Sequence, residues 1–199
     1  MRDFYFGGLA GLITGILLIP ILKNLDVAIP FAVFLPPIGI ALLFGVGMLV
    51  GRILGRWLPW MFQFSKFAAT GFMNAAIDFG ILNLLIFFSG IAAGSGYIAF
   101  KALSFLTANI NSYVWNHWWV FKKEGAPIPA VTTKEYMQFF TVSVVGIMLN
   151  VGAAAFVVTI IGPQWGVGEK GWANIGAAAG SAAGLLWNFL GYKFIVFKA

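Results

Sequence analysis

Residues 64–88 read FSKFAATGFMNAAIDFGILNLLIFF, a stretch with only two charges, Lys66 near one end and Asp78 just past the middle. A bilayer's hydrocarbon core is ~30 Å thick, and a helix rising ~1.5 Å per residue crosses it with ~20 apolar residues. The stretch therefore reads as a membrane-spanning helix. Five further apolar stretches, at about 4–22, 31–55, 96–119, 137–161 and 172–195, read the same way. The chain as a whole agrees. It has 199 residues, 61% hydrophobic and 9% charged, with a mean hydropathy of +0.94. A soluble domain carries about 45–50% apolar and ~25% charged residues. Six spans would absorb nearly all of the hydrophobic residues, so the expected fold class is an all-α membrane protein with six transmembrane helices.

The first stretch opens MRDFYFGGLAGLITGILL and has the look of a signal peptide. Arg2 and Asp3 cancel and no A-x-A-like cleavage site follows, so it is read as a span. In the second, the pair Pro36-Pro37 is expected to delay regular helix to Ile38. The loops are short and leave no room for a soluble domain.

Composition removes several function classes. Without cysteine there is no disulfide or thiolate metal site. His117, the one histidine, excludes multi-histidine metal sites. No Gly-rich phosphate loop, Ser-His-Asp set or acid–base pair is visible, which speaks against an enzyme, and no cofactor is implied. The net charge of +6 reports topology rather than nucleic-acid binding. Arg2, Arg52, Arg56, Lys66, Lys122, Lys123, Lys134, Lys193 and Lys198 fall on one side, and only Lys23, Lys101 and Lys170 on the other. The positive-inside rule then puts both termini in the cytoplasm. Tryptophans mark the two interfaces: Trp57, Trp60, Trp118 and Trp119 inside, Trp165 and Trp172 outside.

The last four spans form an internally repeated pair of hairpins. Phe67, Gly71 and Asp78 in the first recur as Phe139, Ser143 and Asn150 in the second, each 72 positions on. Both hairpins close alike, Asn116-His-Trp-Trp-Val-Phe121-Lys122 against Tyr192-Lys-Phe-Ile-Val-Phe197-Lys198. Each copy starts and ends inside, so the copies are parallel, an arrangement known among transporters.

These same residues carry a resemblance. Lys66-Phe67…Gly71…Asn74…Asp78, then Asn116-His-Trp-Trp-Val-Phe121, then Asn188-Phe-Leu-Gly-Tyr-Lys-Phe-Ile-Val-Phe197, resemble the GtrA-like family over about residues 64–198. The resemblance implies a four-helix membrane domain at 61–199, preceded here by a two-helix extension at 1–60. It also implies a role in moving polyprenyl-phosphate-linked sugars across a prokaryotic membrane. The chain departs from the family's pattern in the extension, in Lys66 and Lys193 where arginine is common, and in His117 within the basic closing motif.

Polar residues inside the spans are the candidate site. An ionised carboxylate at the depth of Asp78 costs roughly 2.5–3.5 kcal/mol on insertion scales, so it needs a partner or a proton. Asn74 stands one turn away on the same face. Lys101 lies within ~7 Å of rise of Asp78 and is its candidate partner; snorkelling of Lys101 to the outer interface is the alternative. In span four, Lys101, Ser104, Asn109, Ser112 and Asn116 fall within about 140° of one another. Asn174, Ser181, Asn188 and Tyr192 make a second stripe in span six, and Ser143 with Asn150 a shorter one in span five. Each residue alone reads as helix glue; together they suit a groove for sugar hydroxyls. At the inner face, Lys66, Lys122 and Lys193 with His117 are candidates for docking a phosphate, beside their default role in topology and lipid contact. Gly176, Gly180 and Gly184 in GAAAGSAAG are expected to pack within the protomer, with a homodimer left open.

The leading expectation is a flippase for a polyprenyl-phosphate monosaccharide, with that lipid and the surrounding membrane lipids as its partners and no nucleic acid. A membrane anchor for a polyprenyl-phosphate glycosyltransferase, or a small proton-coupled exporter using Asp78, are the alternatives.

Overall fold

The computed structural model describes residues 2–28, 31, 33–58, 60–120 and 132–191, apart from the side chains of 135, 136, 139, 185, 186 and 188–191. Among these the regular structure is entirely helical. The helices are α1 (Arg2–Asn24), α2 (Leu35–Leu54), α3 (Trp60–Ser89), α4 (Gly94–Trp115), α5 (Thr133–Ala155) and α6 (Glu169–Gly191). Two segments are wound as π-helix, Asn116–Val120 following α4 and Phe156–Ile161 following α5.

Among the described residues four segments are long and apolar enough to cross a membrane: Arg2–Asn24, Leu35–Leu54, Trp60–Ser89 and Phe140–Ile161. The chain is thus a multi-pass membrane protein by length and composition. The remaining helices, α4 and α6, carry the polar stripes, which lower their hydropathy. Exposure is inverted relative to a soluble protein. Phe72, Phe88, Met148 and Ile160 are each at least two-thirds exposed, while Lys66, Asp78, Asn83, Lys101 and Asn150 are buried. Hydrocarbon outside and polar groups inside is the arrangement a bilayer selects.

Local signals set the helix ends. Contrary to the expected delay at Pro36-Pro37, α2 starts at Leu35, with proline in its first turn. Proline's missing N–H costs nothing there, and its fixed φ already suits a helix. At the far end of α3, Gly90 adopts φ +74° and its N–H bonds the Ile86 carbonyl at 2.8 Å, a left-handed stop that glycine takes without strain. Hydroxyls inside the apolar helices bond back to their own backbone. Thr14 donates to Ala10 O at 2.8 Å, Thr70 to Lys66 O at 3.0 Å and Thr141 to Met137 O at 2.9 Å, so none of them needs water.

The chain divides into two compact units: residues 1–81 with 107–129, and 82–106 with 130–199. In the first, α1 and α2 form an antiparallel hairpin seated on glycine. Gly7 faces Met48, Gly11 faces the backbone of Ile40 and Ala41, and Gly15 faces that of Pro36 and Pro37. A methyl group on Gly11 would stand 2.7 Å from Ala41 Cα. Around this hairpin, Met48, Ala69, Trp119 and Val120 pack with Phe4, Phe6, Phe44, Phe62 and Trp115.

In the second unit, α6 lies antiparallel on α5 through Gly176, Gly180 and Gly184, which face Val158, Ala154 and Asn150. The expected packing of these glycines within the protomer is therefore observed. Asn83 and Asn174 exchange reciprocal hydrogen bonds of 2.7 and 3.0 Å. Tyr97 Oη donates to Ala173 O at 3.0 Å, and Trp187 Nε1 to Val142 O at 2.9 Å. Trp57, Trp60, Trp118 and Trp165 are exposed, while Trp119 and Trp172 are buried. The reason is that each indole N–H has a partner inside: Asp3 Oδ1 for Trp119 and Val157 O for Trp172.

Two substitutions test this packing. Gly11→Val should destabilise the protein by about 1–3 kcal/mol through overpacking against backbone, whereas Gly8→Val, which meets nothing within 4 Å, should be near neutral; unfolding by SDS titration in mixed micelles measures both. For the Asn83–Asn174 pair, a double-mutant cycle with leucine should return a coupling of roughly 0.6–1.7 kcal/mol, and a coupling of zero would show that the two amides are held by other groups.

Candidate functional site

At one end of the first unit, three segments meet on a single carboxylate. Asp3 sits in the first turn of α1, where an acidic side chain complements the helix dipole. Its Oδ1 accepts from Lys66 Nζ of α3 at 2.7 Å and from Trp119 Nε1 of the π-helical turn at 2.9 Å. The Lys66 and Asp3 side chains are only 7% and 14% exposed. Lys66 Nζ also stands 4.7 Å above the Phe62 ring. Lys66, expected as a phosphate contact, is thus held by a protein carboxylate. The exposed Arg52 lies over Phe4 at 5.7 Å, next along the chain from Asp3.

The π-helical turn Asn116–Val120 contains the closing motif Asn116-His-Trp-Trp. Such turns shift side chains out of the α-helical register and recur at functional sites. Within it, Asn116 Nδ2 donates to Ser112 O at 2.8 Å and to Ser112 Oγ at 3.2 Å, while its buried Oδ1 has no hydrogen-bond partner among the described residues. His117 stacks on Tyr113, with ring centroids 5.6 Å apart and 19° between planes. Further along the unit, Asn111 Nδ2 donates to Asn74 Oδ1 at 2.6 Å. Asp78 and Asn109 are buried.

In the second unit Lys101 is fully buried, so it does not snorkel. Its Nζ lies 6.0 Å from the Phe105 ring centroid, and Ser104 Oγ donates to its carbonyl at 3.1 Å. Asn150 is 1% exposed and packs over the glycine face of α6. A methyl group on Gly184 would lie 3.2 Å from its Nδ2, yet its Oδ1 has no hydrogen-bond partner among the described residues. Asn150 occupies the place in the second hairpin that Asp78 holds in the first, and both are buried.

Of the sequence-derived set, Lys66, Asn74, Asp78, Ser112, Asn116 and His117 fall in the first unit, and Lys101 and Asn150 in the second. Lys122, Lys193 and the side chain of Asn188 lie outside the described residues. Four participants were not anticipated: Asp3, the Trp119 indole, Asn83 and Asn111. A buried asparagine in an apolar helix was a sufficient signal for the last two. Chemically, the arrangement offers a lysine–indole anion site and amide acceptors suited to hydroxyl groups. Among the described residues no group of three or more His, Asp or Glu gathers to hold a metal ion.

No solved structure matches the chain. An uncharacterized membrane protein, YngA, of Bacillus subtilis (strain 168) is 26% identical over 136 residues, covering 66% of this chain and 77% of that protein. Residues 66–197 match the family described as GtrA/DPMS, transmembrane domain, and with that match spanning well over half its length the chain belongs to this family.

Proposed function

We propose that the protein is a translocator of polyprenyl-phosphate-linked monosaccharides across the cytoplasmic membrane of a prokaryote, serving surface polysaccharide or glycan modification. Six spans with both termini inside are the topology that goes with this reading. The observation that supports it most is that two buried carboxamide oxygens, Asn116 Oδ1 and Asn150 Oδ1, have no donor among the described residues. Leaving a buried acceptor unpaired costs about 1–3 kcal/mol, and a native protein keeps such a group where something else completes it. A sugar hydroxyl is a donor of the required kind. Family membership adds the membrane setting, and the buried Asp78 and Lys101 add ionisable groups of the sort that mark pathways through membranes.

In mechanism, the prenyl tail stays in lipid while the headgroup moves. Basic residues at the inner face, Lys66 together with Lys122, Lys193 and His117, receive the phosphate as a charge-assisted contact. Asn74, Ser112, Asn116, Asn150 and Asn188 exchange hydrogen bonds with the sugar in place of water. Asp78 and Lys101 respond to its passage, and net direction follows the substrate gradient or a proton.

The test is equilibration of a short-chain polyprenyl-phosphate hexose between the leaflets of proteoliposomes. Wild-type protein should equilibrate it. Asn116→Leu and Asn150→Leu should each slow the process about tenfold, the equivalent of one lost hydrogen bond of ~1.4 kcal/mol, and Asp78→Asn should slow it with the protein still folded. Absence of equilibration across several sugars would overturn the translocator and favour an anchor for a glycosyltransferase.

A further inference from the structure

We propose that Lys66 and the Trp119 indole form a phosphate seat that the N-terminal extension keeps closed, with the Asp3 carboxylate as its built-in occupant. The inference rests on the reading of Lys66 as a phosphate contact and adds a second donor and a competitor for it. Its first support is the division of the parts. Both donors lie inside the family-matched segment 66–197, whereas the acceptor lies outside it, on α1. The seat belongs to the family domain and the occupant to the extension.

Geometry gives the second support. Two donors from different segments converge on one oxygen, Asp3 Oδ1, at 2.7 and 2.9 Å, and the side chains that supply them are almost wholly buried, Lys66 at 7% and Trp119 at 4%. A lysine ammonium withdrawn from water requires an anion. A phosphoryl oxygen satisfies the same two donors and carries at least as much charge as a carboxylate. Asp3 is on the first turn of a helix, where the chain can withdraw it without breaking the helix behind it.

Third, an apolar groove of about 420 Å³ is lined by residues including Met48, Gly51, Phe64, Ser65 and Ala69, and it shares walls with the cluster that holds Trp119. Ser65 precedes Lys66 in the chain, and Met48 and Ala69 share a cluster with Trp119. The occupant this combination fits is a phosphate monoester or diester on an apolar tail, with the head on Lys66 and the tail along the groove. A ligand must first displace Asp3, so its apparent affinity is lowered by the fraction of time the seat is closed. The extension thereby sets the threshold at which the seat accepts a headgroup.

The experiment uses the full chain in phosphatidylcholine nanodiscs, titrated with farnesyl phosphate, with farnesol as the uncharged control, and with inorganic phosphate. Asp3→Asn and Asp3→Ser should each bind farnesyl phosphate about tenfold or more tightly than wild type, with Asp3→Glu close to wild type and farnesol unchanged throughout. Lys66→Met combined with Asp3→Asn should abolish the gain. An equal gain for inorganic phosphate upholds the seat and makes free phosphate its ligand. Folded Asp3 variants with no gain, or a gain shared by farnesol, overturn the proposal. If neither variant folds, the wild type decides. Its Trp119 indole ¹⁵N resonance, assigned with Trp119→Phe, should move on saturation with farnesyl phosphate as Asp3 leaves; an unmoved resonance overturns the seat. Tighter phosphate binding without sugar-lipid equilibration in proteoliposomes upholds the seat and removes the translocator, and equilibration without tighter binding does the reverse.

Discussion

The structure depends on one constraint: a chain with hydrocarbon on its outside must satisfy its polar groups from within. Water cannot do so at bilayer depth. Thr14, Thr70 and Thr141 solve this locally, by returning their hydroxyls to the preceding turn. Asparagines can do so only in part, as Asn116 does to Ser112 O, since a carboxamide has two donors and an acceptor to place, and others pair across helices as Asn74–Asn111 and Asn83–Asn174. Close approach is a precondition for some of this packing. The glycine faces of α1 and α6 lower the helices onto their neighbours, and Asn150 lies over Gly180 and Gly184 because no side chain stands there. Among the described residues the amide oxygens of Asn116 and Asn150 are buried without a donor, and both stand at positions already singled out by the polar stripes.

Helix existence was legible in the sequence because the apolar runs are long and the charges few. The run at 64–88 became α3 (Trp60–Ser89), and 4–22 became α1 (Arg2–Asn24). The helices run a few residues past the apolar runs at either end, into Arg2 and Asp3 and to Asn24 in α1. Proline at a helix start was read as a breaker, although in the first turn it lacks only an N–H that no carbonyl was to receive. The burial of Trp119 and Trp172 was not legible, because it depends on a partner for each indole N–H, and those partners are remote in sequence or lie in a π-helical segment.

The candidate site was legible as a set of faces and not as a set of pairs. Periodicity put Lys101, Ser104 and Asn109 on one stripe, and all three are buried. Asn83 escaped because its neighbours a turn away, Phe79 and Phe87, are apolar, so no stripe forms around it. Asn111 falls just beside the stripe at ~100° per residue. The decisive pairing, Asp3 with Lys66, joins residues 63 positions apart (66 − 3), and no periodic rule connects them. Reading Arg2 and Asp3 as a cancelled pair concealed it, since cancellation in a net charge says nothing about which partner the carboxylate meets in space.

That pairing also changes what the N-terminal extension means. An added hairpin that only thickened the bundle would need apolar contacts with α3, and Ala10, Met73 and Ile77 supply them. A carboxylate is superfluous to such a role. Burying it requires a cation and further donors, and removing one partner of a buried ion pair typically costs about 3–5 kcal/mol. The extension carries this charge to the one lysine that opens the family-matched segment, and the closing motif's tryptophan turns its N–H to the same oxygen. Both ends of the first hairpin of the family domain are thereby tied to one atom of the extension. Any anion that reaches Lys66 must compete with a tethered carboxylate, and so it must carry more charge, more contacts or a tail that holds it in place. A phosphate on a lipid has the tail, whether it is a monoester or a diester.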